Sequence, residues 1–184
     1  MADRIEGYAI ISADGMIADA SGHMPPALQV EADQAFFHSG LDRAAVVVHG
    51  RRSYEGGPGA PRRRRLVVTR RVAALSPHPS YAGALLWNPA GASLAQAWAQ
   101  LGAGEGMLAV IGGADVYELF WKQGYDAFHL TRVARAFLPG GRPVFRELAA
   151  NRTPEEVLAS HTLRPGPTIM LDAAAEATLV TWQP

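Results

Sequence analysis

Three groups of residues in this 184-residue chain have the types and spacing to do chemistry. The first is a carboxylate, Asp33, in helical register with Val30 and Phe37. A carboxyl held among apolar side chains has a raised pKa, and such a group can deliver a proton near neutral pH. The second is Gly112-Gly113, where backbone can approach a phosphate with no Cβ in the way and the helix that follows adds partial positive charge. The third is the set Arg51, Arg52 and Arg70, each at or just past the end of an apolar run, where guanidinium groups can clasp a phosphate bidentately. Together the glycines and arginines suit a phosphorylated dinucleotide, with an adenosine 2′-phosphate as the natural target of the arginines. Each feature also has a plainer reading. Asp33 fits a surface residue of a first helical turn, stabilised by the macrodipole, and the glycine pair fits a tight strand-to-helix turn.

Two further features bear on chemistry. Arg62-Arg63-Arg64-Arg65 lies between the Gly/Pro-rich residues 56–61 and an apolar run. One arginine of the four could enter a cleft and bind a substrate carboxylate while the rest face water. The six histidines, His23, His38, His49, His78, His129 and His161, show no metal-ligand spacing, so they read as structural or surface residues and no metal site is expected.

These groups need elements to position them. Short apolar runs alternate with stretches of helical period, the pattern of an α/β sheet. Strands are expected at Gly7–Ile11, Ala44–Val48, Leu66–Val68, Met107–Ile111 and Ala127–Val133, with Ala84–Trp87 as a further candidate. A helix is expected from Pro26 to His38, with Leu28, Ala32, Ala35 and Phe36 as its core stripe and Val30, Asp33 and Phe37 as an adjacent one. Leu94 to Leu101 forms a second helix, and Gly112-Gly113 opens a third carrying Val116, Leu119 and Phe120. Two late segments, Glu156 to His161 and Ala177 to Trp182, read as an antiparallel pair closing the sheet. Ligands of open α/β sheets bind beyond the strands' carboxyl ends, which places Val48–Ser53, Val68–Arg71 and Ile111–Tyr117 at one site.

Composition narrows the class. With 48% hydrophobic and 18% charged residues, the chain has the makeup of one ordinary domain spanning 1–184. Seventeen basic residues balance seventeen acidic ones, which argues against a nucleic-acid or membrane-surface partner. The absence of Cys removes thiolate chemistry, and no apolar run near the start is long enough for a signal or membrane segment, so a cytoplasmic protein is expected.

The assembled pieces resemble dihydrofolate reductase. Ile11-Ser12-Ala13-Asp14-Gly15-Met16-Ile17-Ala18, Asp33-x-x-x-Phe37 and Gly50-Arg51-Arg52-Ser53-Tyr54-Glu55 resemble its amino-terminal half. Arg63 to Arg70, Ile111-Gly112-Gly113-x-x-Val116-Tyr117 and Leu130-Thr131-Arg132-Val133 continue the match in order, over about Gly7 to Leu148. The resemblance implies a central mixed, mostly parallel sheet flanked by helices, with antiparallel C-terminal strands. It implies NADPH across the strand ends and a pteridine in the adjoining cleft. Asp33 would promote protonation of the pteridine, with Thr131 bonded to it. Tyr8, Ile10, Phe37, Arg63 and Ile111 would contact substrate, Phe37 packing on the ring and Arg63 binding the glutamate carboxylate. Arg51, Arg52, Ser53, Thr69 and Arg70 would hold cofactor phosphates and ribose. Ala18, Gly50, Val68, Gly112, Gly113, Ala114, Asp115, Val116 and Tyr117 would complete the cofactor site, with a cis peptide between the two glycines.

The sequence also departs from that pattern. The loop Asp19 to Leu28 is longer than usual and lacks the family's Trp, and the small residues 56–61 replace bulky aliphatics. Ser12 to Ala18 is similar as well to the reductase domain of bacterial riboflavin biosynthesis. The expected function is therefore NADPH-dependent reduction of dihydrofolate or a related pterin. The alternatives are reduction of a phosphorylated, ribosylated aminopyrimidine, or nucleotide binding without turnover. The partner in each case is a small molecule, and the chain is expected to act as a monomer or homodimer.

Overall fold

A computed structural model describes residues 1–53, 56 and 59–184, so Tyr54, Glu55, Gly57 and Pro58, with part of the 56–61 segment singled out above, lie outside the described residues. In chain order the strands are β1 (Ala2–Ser12), β2 (Met16–Ala18), β3 (Val46–Gly50), β4 (Arg65–Val68), β5 (Leu75–Pro77), β6 (Ala84–Trp87), β7 (Gly106–Val110), β8 (Ala127–Val133), β9 (Arg142–Pro143), β10 (Arg164–Asp172) and β11 (Ala177–Gln183). The helices are α1 (Glu31–Arg43), α2 (Leu94–Gln100), α3 (Ala114–Leu119) and α4 (Pro154–Ser160).

Among the described residues nine strands form one sheet in the order β10-β11-β8-β1-β7-β3-β4-β6-β5, and β2 pairs separately with β9. The run from β8 to β6 is parallel. Strands β11 and β10 add antiparallel at one edge and β5 at the other. This is the mixed, mostly parallel sheet with antiparallel C-terminal strands that the sequence implies.

Side chains alternate across each strand, so every strand serves two layers. Ile11, Leu108, Val110, Phe128 and Leu130 face the larger core with Trp98 of α2, Tyr117 of α3 and Leu158 of α4. Tyr8, Val47, Ala109 and Ile111 face the other way, against Leu41, Phe36 and Phe37 of α1. In the larger core the Phe128 ring meets Tyr117, Trp121, Tyr125 and Phe145 at centroid separations of 5.2–6.3 Å, distances at which aromatic pairs add to simple burial.

Three sequence expectations are corrected. Pro26 to Leu28 forms a separate 3-10 turn, and α1 begins at Glu31 and continues to Arg43. Its buried face is the second stripe, with Asp33, Gly40 and Leu41 buried and Ala35 exposed. The reason is the break at Gln29-Val30, where Val30 takes an extended backbone and resets the helical phase. Glu156 to His161 is largely helical rather than a strand. Thr153 and Glu156 form a capping box, with Pro154 at the first helical position, so three residues agree on a helix start. The strand that pairs with β11 is β10, whose Pro165 and Pro167 are tolerated because it is an edge strand with mostly exposed side chains.

The ring cluster around Phe128 gives the first prediction. Phe128→Ala should lower unfolding stability by about 3–5 kcal/mol, measured by urea titration, and a loss below about 1 kcal/mol would show that this core repacks freely.

Candidate functional site

The carboxyl ends of β1, β3, β4, β7 and β8 open into a cleft of about 1300 Å³. That exceeds the roughly 300–1,000 Å³ that houses one small ligand, which leaves room for two side by side. The lower wall comes from the α1-facing sides of the strands. Tyr8 and Ile10 alternate along β1, His129 and Thr131 along β8, and Ile111 follows β7, all lining the cleft. Helix α1 forms the opposite wall with Asp33, Gln34, Phe36, Phe37 and His38.

Asp33 is only 9% exposed. Its burial pushes the carboxyl up from the ordinary 3.8 to about 6, against the opposing pull of a hydrogen bond from the Thr131 side chain. The neighbouring Tyr117 phenol is pushed up chiefly by complete burial and secondarily by the Asp33 charge. Tyr117 donates its hydroxyl proton to the Tyr8 carbonyl at 2.5 Å, tying α3 to β1.

The second end of the cleft is cationic and backbone-rich. Gly50, Arg51, Arg52 and Ser53 follow β3, and Val68, Thr69 and Arg70 end β4. The Gly50 amide donates to the Gly112 carbonyl at 2.8 Å, which joins the β3 and β7 strand ends. The Gly112–Gly113 peptide is cis, and Gly112 has φ +95°. A Cβ on Gly112 would lie 2.8 Å from the Tyr117 hydroxyl, so a side chain there would displace the bond that holds Tyr8. Among the described residues, the only neighbour a Cβ added to Gly113 would meet within 4 Å is Ile17 Cδ1, at 3.7 Å, so its backbone stays open to the cleft. Ala114, Asp115 and Val116 continue the lining. Several guanidiniums, a threonine hydroxyl and open glycine backbone form a donor set that fits a phosphorylated dinucleotide.

The rim over this end comes from the turn after β1. Asp14 accepts from the Ser12 hydroxyl at 2.6 Å and from the Leu138 amide at 3.1 and 3.2 Å. These bonds bring the β2–β9 pair over the cleft, adding Ile17, Ala18, Arg142 and Pro143 to the lining. Arg146 also lines it and pairs with Asp115 and, at 3.8 Å, with Glu118.

Of the site residues expected from sequence, nearly all line this one cleft; Arg63 and Gly112 do not. Gly112 lies just behind the lining. Arg63 is turned elsewhere, its Nη2 donating to Asp42 Oδ1 at 2.6 Å. The arginine run is also not mainly solvated: Arg63 and Arg65 are buried while Arg62 and Arg64 are exposed. That alternation is the period of the strand that the run enters, and Arg65 Nη2 donates to the Ala60 carbonyl at 3.0 Å.

Sequence reasoning missed His129, Phe36, Arg142 and Arg146. His129 carried a usable signal, since it precedes Thr131 by two residues on a strand and must share its face. It is held by Glu6 Oε2 at 3.2 Å and by Thr181 Oγ1 at 2.9 Å. Burial alone would raise Glu6, but hydrogen bonds from His129, Tyr8 and Arg4 outweigh it and bring the carboxyl down to about 2. Arg142 and Arg146 had no local signal, because the long-range β2–β9 pairing delivers them. Among the described residues no group of three or more His, Asp or Glu could hold a metal ion, and no helix is long and apolar enough to cross a membrane.

The raised Asp33 carboxyl has a consequence for stability. Below pH 3.8 it is protonated in folded and unfolded chains alike, so its burial carries no ionisation penalty. Above about pH 6 it is ionised in both, and the folded state bears the full penalty, roughly 3 kcal/mol. Asp33→Asn should therefore stabilise the protein at pH 8, by about 1–3 kcal/mol, and lose that advantage at pH 4. Thermal melts at the two pH values check this, and an equal effect at both would remove the buried-carboxyl explanation.

Sequence comparison finds no matching protein-family model and no matching curated protein. Solved structures do match. A protein assigned to riboflavin biosynthesis from Shewanella sp. PV-4 superposes with a TM-score of 0.62 at 18% identity, over 98% of each chain. The diaminohydroxyphosphoribosylaminopyrimidine deaminase/5-amino-6-(5-phosphoribosylamino)uracil reductase of Thermotoga maritima gives 0.66 at 14% identity, over 98% of this chain and 56% of that one, so this chain spans little more than half of that protein. Dihydrofolate reductase from Enterococcus faecalis, complexed with NADP(H) and RAB-propyl, gives 0.64 at 19% identity, over 98% and 95%. The sheet order, the cleft at its strand ends and these superpositions together show a dihydrofolate reductase-like fold.

Proposed function

We propose that this chain is an NADPH-dependent reductase of dihydrofolate or a related pterin, with Asp33 promoting protonation of the ring. The observation that carries the reading is the buried Asp33 carboxyl, raised to about 6, in the same cleft as the Gly113 backbone and the Arg51, Arg52 and Arg70 cluster. The Enterococcus structure, which holds NADP(H), supports the choice of cofactor.

When bound, NADPH would supply the hydride, and the protein would supply position, dryness and a proton. Arg51, Arg52, Ser53, Thr69 and Arg70 would hold phosphate and ribose oxygens. Gly113, Ala114, Asp115 and Val116 would lie along the pyrophosphate and adjoining ribose, with Ala18, Gly50 and Val68 closing around them. Gly112 and Tyr117 would support this segment from behind. Ile10, Ile111 and Phe37 would sandwich a flat heterocycle and exclude water, while the Tyr8–Tyr117 bond fixes the backbone beneath it. Asp33, steadied by Thr131, would hold a proton at the ring edge and favour the protonated heterocycle as hydride arrives.

A second reading keeps the cleft and changes the substrate to a phosphorylated, ribosylated aminopyrimidine. Arg142 and Arg146 favour it, since they add guanidinium groups to the lining beyond those assigned to the cofactor. The Shewanella and Thermotoga superpositions lean the same way. A diaminopyrimidine antifolate should inhibit the pterin reductase strongly and the pyrimidine reductase weakly.

The primary test follows NADPH oxidation with dihydrofolate. Activity should fall as pH rises through about 6, because only the protonated carboxyl can supply the proton. Asp33→Asn should lower kcat by about 100-fold or more. Undiminished turnover in that variant would remove Asp33 from the mechanism, and no turnover by the unaltered protein at any pH from 5 to 8 would remove dihydrofolate as substrate.

A further inference from the structure

The rim of the cleft carries an arginine on a rigid mount. Arg142 opens β9, which pairs with β2 so that Ala18 faces Arg142 and Met16 faces Pro143. Strand β2 advances two residues where β9 advances one, so Ile17 and Ala18 together oppose Arg142. Such a bulge re-aims a side chain that strict alternation would send to the far face. Ile17, Ala18 and Arg142 accordingly all line the cleft.

The backbone around Arg142 is pinned on both sides. Before it, the Leu138 amide donates to Asp14, and the Gly141 amide donates to the Leu138 carbonyl at 2.9 Å. A Cβ on Gly141 would come within 2.5 Å of the Ala18 carbonyl oxygen, so the glycine lets β9 lie close against β2. After it, the Val144 amide donates to the Gly15 carbonyl at 3.0 Å, and Val144 and Phe145 are fully buried. The Arg142 side chain itself is exposed, and among the described residues no hydrogen bond or ion pair engages its guanidinium.

What lies beneath the rim points to the anion. Ile17 Cδ1 is 3.7 Å from the place a Cβ would take on Gly113, so β2 covers the open glycine backbone. Paired Cα atoms of antiparallel strands are about 5 Å apart, which sets Arg142 one strand spacing from that cover. The acidic group at this end is Asp115, which would repel a phosphate, and Arg146 pairs with it and reaches Glu118 at 3.8 Å. Arg146 thus balances carboxylates, while Arg142 adds a charge that the fold does not neutralise. Arg51 and Arg52 follow β3, and Arg70 follows β4, one and two strands along the sheet from β7. They and Arg142 are therefore placed to meet different phosphates of one extended molecule.

We propose that Arg142 is a clamp on the diphosphate bridge of the dinucleotide, closing from the β2–β9 rim over a segment that the Gly113 backbone supports from below. This rests on the NADPH reading above and adds a rim residue to it. A guanidinium can meet two phosphate oxygens at once, and its mount is already fixed before the cofactor arrives. The bridge is common to NADPH and NADH, so the clamp is indifferent to the 2′-phosphate that distinguishes them. A substrate phosphate would offer Arg142 the same chemistry, and binding measured without substrate separates the two.

The test is calorimetry, with NADPH and NADH each titrated into the ligand-free protein at one ionic strength and no substrate present. Arg142→Gln should weaken both cofactors by the same factor, about fivefold to tenfold, the effect of one charge-assisted contact at an exposed site. The ligand-free variant should melt within about 2 °C of the unaltered protein, because no bond inside the fold is lost. A change below about threefold in NADPH affinity would overturn the proposal and leave Arg142 to a substrate phosphate. Weakened NADPH with unchanged NADH would overturn it as well, by moving Arg142 to the 2′-phosphate. A larger fall in melting temperature would make Arg142 a structural residue and overturn the clamp. Failure of the unaltered protein to bind NADPH would appear before any variant is made, and would overturn the cofactor reading together with this proposal.

Discussion

Burying a carboxyl group beneath a helix, with one hydroxyl for a partner, costs folding free energy, and the arrangement around Asp33 is built to sustain that cost. The residue sits in the first turn of α1, where the helix dipole favours a negative charge, while desolvation disfavours it more strongly. The net result is a group that exchanges its proton near neutrality. The stability needed to hold it there comes from the opposite face of the same strands, where Phe128, Phe145, Trp121 and Tyr125 pack against one another. One face of the sheet thus supports what the other face strains to contain.

The strand period organises the rest of the cleft. Tyr8 and Ile10, His129 and Thr131, and Ile111 all point toward α1 because they occupy alternate positions on parallel neighbours in register, Tyr8 opposite His129 and Ile10 opposite Thr131. The Glu6 carboxylate, bonded to Tyr8, His129 and Arg4, fixes the lower end of that wall. Charge then separates along the cleft, with guanidinium groups where phosphates would lie and a neutral, aromatic compartment beside Asp33. Such a division fits the proposed pairing of a phosphorylated cofactor with a heterocyclic substrate.

Much of this was legible in the sequence, and the failures have physical causes. The parallel strands were readable because doubly covered strands are continuous apolar runs, as in Val46-Val47-Val48 and Leu108-Ala109-Val110. The cleft residues were readable because strand ends and glycine pairs mark where backbone faces a ligand. The phase of α1 was not, since the apolar period runs on through the 3-10 turn at Pro26 to Leu28 and hides the break at Val30. The α4 segment was misread because its apolar content resembled a strand, although the Thr153-Pro154-Glu155-Glu156 start already specified a helix. The fate of Arg63 depended on Asp42, a residue 21 positions away whose proximity only the folded chain creates. Arg142 and Arg146 were invisible for the same reason.

Burial, more than any neighbouring charge, sets the protonation of Asp33. The most direct measurement is an NMR titration of the Asp33 side-chain carboxyl carbon in the folded protein. The midpoint should lie near pH 6, and it should move down toward the ordinary value if Thr131 is retained while water is admitted by shrinking Phe37. A midpoint near 3.8, the value of a solvated aspartate, would contradict it and return Asp33 to the role of an ordinary helix-start residue.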